Sequence, residues 1–392
     1  MRIPAMQAAL AETDLDGWLL YDFRGLNPIA RTLAGYEPDA HLTRRWYGWV
    51  PRSGEPRWLH HAIEAHLFAA QPGARRAYAS WQDLESGVRW LLGGAKRVAM
   101  EYSPNNAIPY VARVDAGTVE WIRSLGVAVE TSGDLVSAVE ARWSAAGLAT
   151  HRAAARHLTE AVQALHARIA HRLASGERPS EYEVQQELAG DLRRRGLLLD
   201  GDPIVAVGPH SANPHYAPAP EGSAAVEPGQ VLLVDLWGRL DEPGSISGDI
   251  TWMAYLGASV PDEVGRVWDA VSGARDAAVE FLAAAWQTGR VVRGLEVDDV
   301  ARAFLAERGL APFFVHRLGH SIGTSVHGNG ANLDHFETQD ERRLLPETGF
   351  SVEPGVYQVG RFGVRSEIDV YLGPDGPEVT TPRQTALPAL LT

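Results

Sequence analysis

The chain has 392 residues, 45% apolar and 22% charged, the proportions of a soluble globular protein, and two domains are expected at that length. Its 36 basic and 49 acidic residues leave a formal charge of −13, which argues against nucleic acid or an anionic membrane surface as partner. Cysteine is absent, so disulfides and thiolate metal sites are excluded, and no apolar run approaches the roughly 18 residues of a membrane span.

The opening MRIPAMQAALAETDLDGWLL has one basic residue and no long apolar core; no secretory leader is expected, and a cytoplasmic location is. Residues 17–23, 44–50, 56–62 and 97–102 read as strands, while 81–92 and 111–125 have helical spacing. Strands alternating with helices predict an α/β N-terminal domain with a mixed sheet, over residues 1–148. Within it, Trp46, Tyr47 and Trp49 lie between arginines in segment 41–52. That composition suits an interface as well as a half-buried strand, and a homodimer joined through the N-terminal domains is expected from it. The run of His60, His61, Glu64 and His66 has no further ligands in its half of the chain and is read as structural.

The second domain is expected over 149–392, opening with an Ala-rich helix at 150–174 whose His151, His157, His166 and His171 are expected to face solvent. A second helix follows, with Ser180 as N-cap and Gly196 as C-cap. Strand pairs around residues 231–256 and 349–372 enclose helical patterns at 261–286 and 296–309, so a helix–helix–hairpin order occurs twice.

Five metal-ligand types fall at or near apolar runs in this domain: Asp235, Asp249, His320, Glu353 and Glu367. Buried carboxylates without partners are costly, so four that converge need protons or cations to neutralise them. Asp235 and Asp249 are 14 positions apart across a turn, as are Glu353 and Glu367, a spacing that suits two hairpins each presenting two carboxylates. This oxygen-rich set suits two divalent ions, manganese first, with cobalt or zinc as substitutes. Histidines cluster beside it: His316 and His327 around His320, and His210 and His215 in a turn-rich segment before the Asp235 strand.

The ligand order, together with GHSIG…VH, VEPGVY and VRSEIDV, resembles the creatinase, aminopeptidase P and prolidase group. That resemblance implies an α+β pita-bread catalytic domain of two related helix–hairpin halves, shared with methionine aminopeptidases. It implies that Asp249 and Glu367 bridge two ions, with Asp235 on one ion and His320 and Glu353 on the other. A water or hydroxide held between the ions would be the nucleophile, and Glu353 would shuttle its proton. His215 and His327 would contact substrate and steady the tetrahedral intermediate, His316 would line the proline pocket, and Tyr357 and Arg365 would arrange the site. The implied substrates are small peptides with proline second, cut by a Xaa-Pro dipeptidase (prolidase) or, for longer peptides, an aminopeptidase P.

Departures from the group's pattern are Ile246 and Gly248 in ISGD where YxSD is common, a longer turn between the aspartates, Gly328 after His327 and His210 in place of asparagine. None removes a ligand. An intact five-ligand set argues against a creatinase-type hydrolase, which does not rely on the metal cage, and against a non-catalytic peptide-binding module, which loses such ligands.

Overall fold

A computed structural model describes residues 2–37 and 39–391, with Met1, Pro38 and Thr392 outside the described residues. The chain divides into compact units Met1–Glu140 and Ala141–Thr392. The division precedes the first long helix instead of cutting it at 148/149, because that helix starts at Ala145, capped by the Ser144 hydroxyl on the Gly147 N–H at 3.0 Å.

The first unit runs α1 (Ile3–Ala11), β1 (Gly17–Asp22), α2 (Pro28–Ala34), β2 (Trp46–Pro51), β3 (Arg57–His61), β4 (Ala74–Tyr78), α3 (Trp81–Leu92), β5 (Arg97–Met100), α4 (Ala116–Ser124), β6 (Ala128–Thr131) and α5 (Gly133–Glu140). Its six-stranded sheet has the order β4-β3-β2-β1-β5-β6. Only β2 runs against the rest, so the sheet is mixed as expected. Alternation sends Trp18, Leu20, Trp46 and Trp58 into one core, and Leu19, Tyr21, Tyr47, Trp49 and Leu59 into another. Trp46, Tyr47 and Trp49 are therefore interior, at 0%, 0% and 2% exposure. They cannot form the contact surface expected of them, and the dimer loses that support. His60 stacks on Phe68, and Glu64 accepts from the Thr43 backbone and hydroxyl.

The second unit begins with α6 (Ala145–Ala174), α7 (Glu181–Arg194), β7 (Leu197–Leu198), β8 (Ile204–Val207), β9 (Val231–Leu240) and β10 (Gly248–Tyr255). Then come α8 (Asp262–Gln287), α9 (Gly294–Ala306), β11 (Ser321–Ile322), β12 (Gly349–Val352), β13 (Gly355–Gln358), β14 (Phe362–Arg365), β15 (Ile368–Gly373) and β16 (Gly376–Val379). The repeated helix pair and strands form the two halves of a pita-bread fold. Helices α6 and α7 pack with the even residues of β9 and β10, among them Leu232, Val234 and Ile250. Helices α8 and α9 pack with β12, β14 and β15, and with Val231, Leu233 and Met253 on the odd face of β9 and β10.

α7 starts on the Ser180–Glu183 capping box; its C-cap is Arg195, and Gly196 follows in the left-handed conformation. His151 and His166 do not face solvent. His151 is fully buried between the Ser247 carbonyl and the Thr380 hydroxyl, both at 2.7 Å, and burial pushes its imidazole down to about 4. The helix is amphipathic as its spacing suggests, but alanine gives little contrast between its faces, so its histidines could not be placed on the buried stripe from the sequence. No helix among the described residues is long and apolar enough to cross a membrane.

Candidate metal centre

Strand alternation builds the first side of the site. β9 and β10 pair with Asp235 opposite Thr251 and Asp249 opposite Trp237, so Asp235, Thr251 and Asp249 share the odd face with Leu233 and Met253. The two aspartates are diagonal neighbours, not directly opposed. The second side is an interrupted hairpin. β12 pairs with β15 up to Val352–Ile368, and β13 takes up pairing with β14 from Gly355–Arg365, leaving Glu353 and Glu367 at the break between the ladders. Glu367 receives the Thr251 hydroxyl at 2.7 Å.

His320 stands immediately before β11. Its N–H donates to the Ser351 hydroxyl at 3.0 Å, and the Ser351 N–H donates back to its carbonyl at 2.9 Å. A Cβ on the preceding Gly319 would lie 2.0 Å from the Ser351 carbonyl oxygen, so only glycine lets the His320 segment approach β12 this closely.

Asp249, His320 and Glu367 thus offer ligand atoms all within 4.8 Å of one another. His320 Nε2 is 3.5 Å from Asp249 Oδ2 and 3.5 Å from Glu353 Oε1. Asp235 lies outside that trio, and its carboxylate is ion-paired with Arg365 Nη2. Arg365 also donates from Nε to the Thr251 hydroxyl at 2.9 Å and from Nη1 to the Tyr357 hydroxyl at 3.3 Å. His316 Nδ1 faces the Arg317 carbonyl at 2.6 Å, which assigns the ring proton there and makes Nε2 the acceptor for the Tyr357 hydroxyl at 2.8 Å. Burial pushes this imidazole down to about 3, so it is neutral. His327 meets the His320 ring edge-on at 4.4 Å, and His215 is exposed in the segment after β8.

Burial raises all four carboxylates above their ordinary range. For Asp249 and Glu367 the neighbouring carboxylates push further in the same direction, whereas Arg365 opposes burial at Asp235 and His320 opposes it at Glu353. Asp249 Oδ1 is buried without a hydrogen-bond partner. An orphaned carboxylate oxygen, inside a set whose acids repel one another, fits divalent cations and fits poorly with a closed protein network.

Thr251, Ser351 and Asp369 were not singled out in the sequence, yet Thr251 links Arg365 to Glu367, Ser351 ties His320 to Glu353, and Asp369 Oδ2 receives the Asp249 N–H at 2.9 Å. Each lies two positions from a candidate ligand, Thr251 from Asp249, Ser351 from Glu353 and Asp369 from Glu367, so strand alternation is the signal that could have found them.

Residues 149–374 match the profile of metallopeptidase family M24. The chain belongs to that family. A probable dipeptidase PepE of Mycobacterium tuberculosis is 34% identical over 224 residues, 57% of this chain and 55% of the relative. A Xaa-Pro dipeptidase of Lactobacillus delbrueckii subsp. lactis is 33% identical over 198 residues, 50% of this chain and 48% of the relative. The match thus spans about half the length of these curated relatives. Among solved structures, dipeptidase PepE from Mycobacterium ulcerans superposes with a TM-score of 0.70 at 25% identity, covering 100% of this chain and 97% of that one. M24 membership and this likeness agree with the creatinase, aminopeptidase P and prolidase resemblance and with its pita-bread fold.

Proposed function

We propose that the protein is a dinuclear-metal Xaa-Pro dipeptidase. The observation that carries this reading is the buried Asp249–His320–Glu367 cluster, with Glu353 beside His320 and an orphaned oxygen on Asp249. Asp249 and Glu367 would be shared by the two ions, Asp235 would belong to one, and His320 with Glu353 would belong to the other. Bound there, two divalent ions, manganese by the oxygen-rich donor set, would supply Lewis acidity and make water nucleophilic at neutral pH.

The remaining steps belong to side chains. Glu353 takes the proton of the attacking water and returns it to the leaving prolyl nitrogen. His215 and His327 are the proposed donors for the carbonyl oxygen as it gains charge. His316, neutral and held by Tyr357, gives the prolyl ring a wall that does not compete for the ions. Arg365, already engaged by Asp235, Thr251 and Tyr357, fixes the Asp235 carboxylate and keeps Tyr357 in place. A cytoplasmic location is part of the same reading.

The test is hydrolysis of Ala-Pro, Met-Pro and Xaa-Pro-Yaa-Zaa peptides by manganese-loaded protein, followed by mass spectrometry. Free proline should appear from the dipeptides, vanish after chelation and dialysis, and return with manganese. Cleavage of only the longer peptides would move the assignment to an aminopeptidase. Hydrolysis of none of them by metal-loaded protein would refute both.

A further inference from the structure

The first unit contains a cleft of about 690 Å³ that the peptidase reading does not use. It lies past the C-terminal ends of β1, β3 and β4, marked by Phe23, His61 and Tyr78, and against the first turns of α3 and α4. The chain winds outward from β1 to β4 and then crosses to β5 on the other side of β1, so the winding direction changes at β1. In open α/β sheets the crevice beyond the carboxyl ends of the strands, at such a change, is where ligands bind. The volume falls within the roughly 300–1,000 Å³ of ligand sites.

The lining has two chemical parts. Arg44 and Arg45 both border the cleft, are exposed, and meet no carboxylate in an ion pair among the described residues. His61 Nδ1 accepts from the Ile63 N–H at 3.3 Å, which leaves Nε2–H as a donor. The lining carboxylate Asp115 caps α4, accepting the Thr118 N–H and hydroxyl at 2.8 Å each. Charge in the cleft therefore favours an anion. The second part is aromatic. Trp81 opens α3 with 68% of its surface exposed, and Trp121 and Tyr78 border the same space. A tryptophan left this open at a cleft edge has a face to offer to a flat ring.

We infer that this cleft binds a small molecule combining an anionic group with a flat ring, of the nucleoside monophosphate class. The anion sits on Arg44 and Arg45, and the ring lies against Trp81 and Trp121. The inference is independent of the peptidase reading, because no proposed metal ligand borders the cleft.

The experiment is calorimetric titration of manganese-loaded full-length protein with AMP, adenosine and ribose 5-phosphate. AMP should bind saturably, with adenosine and ribose 5-phosphate each weaker by about tenfold or more, since each lacks one half of the recognition. Arg44→Gln/Arg45→Gln and, separately, Trp81→Ala should weaken AMP by about tenfold or more, with Xaa-Pro hydrolysis and thermal unfolding unchanged. All three positions are exposed, so a folded variant is expected. AMP binding that survives both variants would place it elsewhere, for example on the ions, and overturns the assignment. So does ribose 5-phosphate binding as tightly as AMP, or no saturation by AMP at millimolar concentration.

Discussion

Glu181, fully buried at the start of α7, receives the His210 ring nitrogen Nδ1 at 2.9 Å from the segment that carries His215. The same carboxylate accepts the Tyr216 hydroxyl at 2.5 Å and the N–H groups of Val207 and Ala224, each at 2.8 Å. One carboxylate thereby ties down the chain on both sides of His215. His210, which replaces the asparagine common in the resembled group, completes the arrangement by stacking on Tyr216 at 4.5 Å.

Glu181→Ala should cost at least about 2 kcal/mol in denaturant unfolding, because several buried donors lose their acceptor. Glu181→Gln should unfold closer to the parent, with full metal content but kcat reduced by about tenfold, as the His215 segment loosens. Parent-like turnover in Glu181→Gln together with parent-like stability in Glu181→Ala would leave this carboxylate without the positioning role.

Loss of Asp249 or Glu367 should hurt metal binding more than loss of Asp235. Asp235 is already paired with Arg365, whereas neighbouring carboxylates raise Asp249 and Glu367 further, Asp235 and Glu353 acting on the first and Asp249 foremost on the second, and Asp249 keeps an unpartnered oxygen. Plasma mass spectrometry should find both ions depleted in Asp249→Ala and Glu367→Ala, and about one ion retained in Asp235→Ala. Equal loading in all three would sink the bridging assignment.

Histidines should separate by role. His320→Ala should lose metal, because its ring touches Asp249 and Glu353 at 3.5 Å. His215→Ala and His327→Ala should keep metal and lose about 10²–10³ in kcat, the usual cost of a missing donor to a developing oxyanion. Parent-like turnover in both of the latter would make them structural side chains.

Stability of the first unit should fall with rising pH through Glu101. Its buried carboxyl is pushed up by burial to about 7, even though Trp18, Asn27 and Ser132 donate to it at 2.6, 2.7 and 3.2 Å. A raised pKa means the folded state holds the proton more tightly. Its contribution is complete below the unfolded value of 4.5 and is lost as pH rises through 7, about 3 kcal/mol in all. Urea unfolding at pH 4.5, 6 and 8 should show a shallower decline for Glu101→Gln than for the parent. Identical pH slopes in the two proteins would overturn this.

Strands β1, β2, β3 and β5 of the first unit were legible as short apolar runs such as GWLLYD, whereas β4 and β6 were not, and α3 was found to the residue from its helical spacing. The candidate ligands were legible for a related reason: an acid at the end of or within an apolar run is conspicuous. Glu181 was not, because an acid in the first turn of a helix is also what a helix dipole favours. Thr251 and Asp369 act through partners more than 100 positions away along the chain. Trp46, Tyr47 and Trp49 could have served a surface or a core, and only the second layer of helices over the sheet decides for the core.

By itself the sequence determined element type, the two-unit plan and the residue types able to hold cations, since these depend on local periodicity and on the cost of burying charge. Tertiary structure alone decided which acids share a space. The β9–β10 register sets Asp249 diagonal to Asp235, the broken hairpin brings Glu353 and Glu367 to the same opening, and Arg365 claims Asp235 from 130 positions away. The 14-residue spacings suggest the two hairpins, but their exact register and the packing between the two halves of the second unit decide these choices.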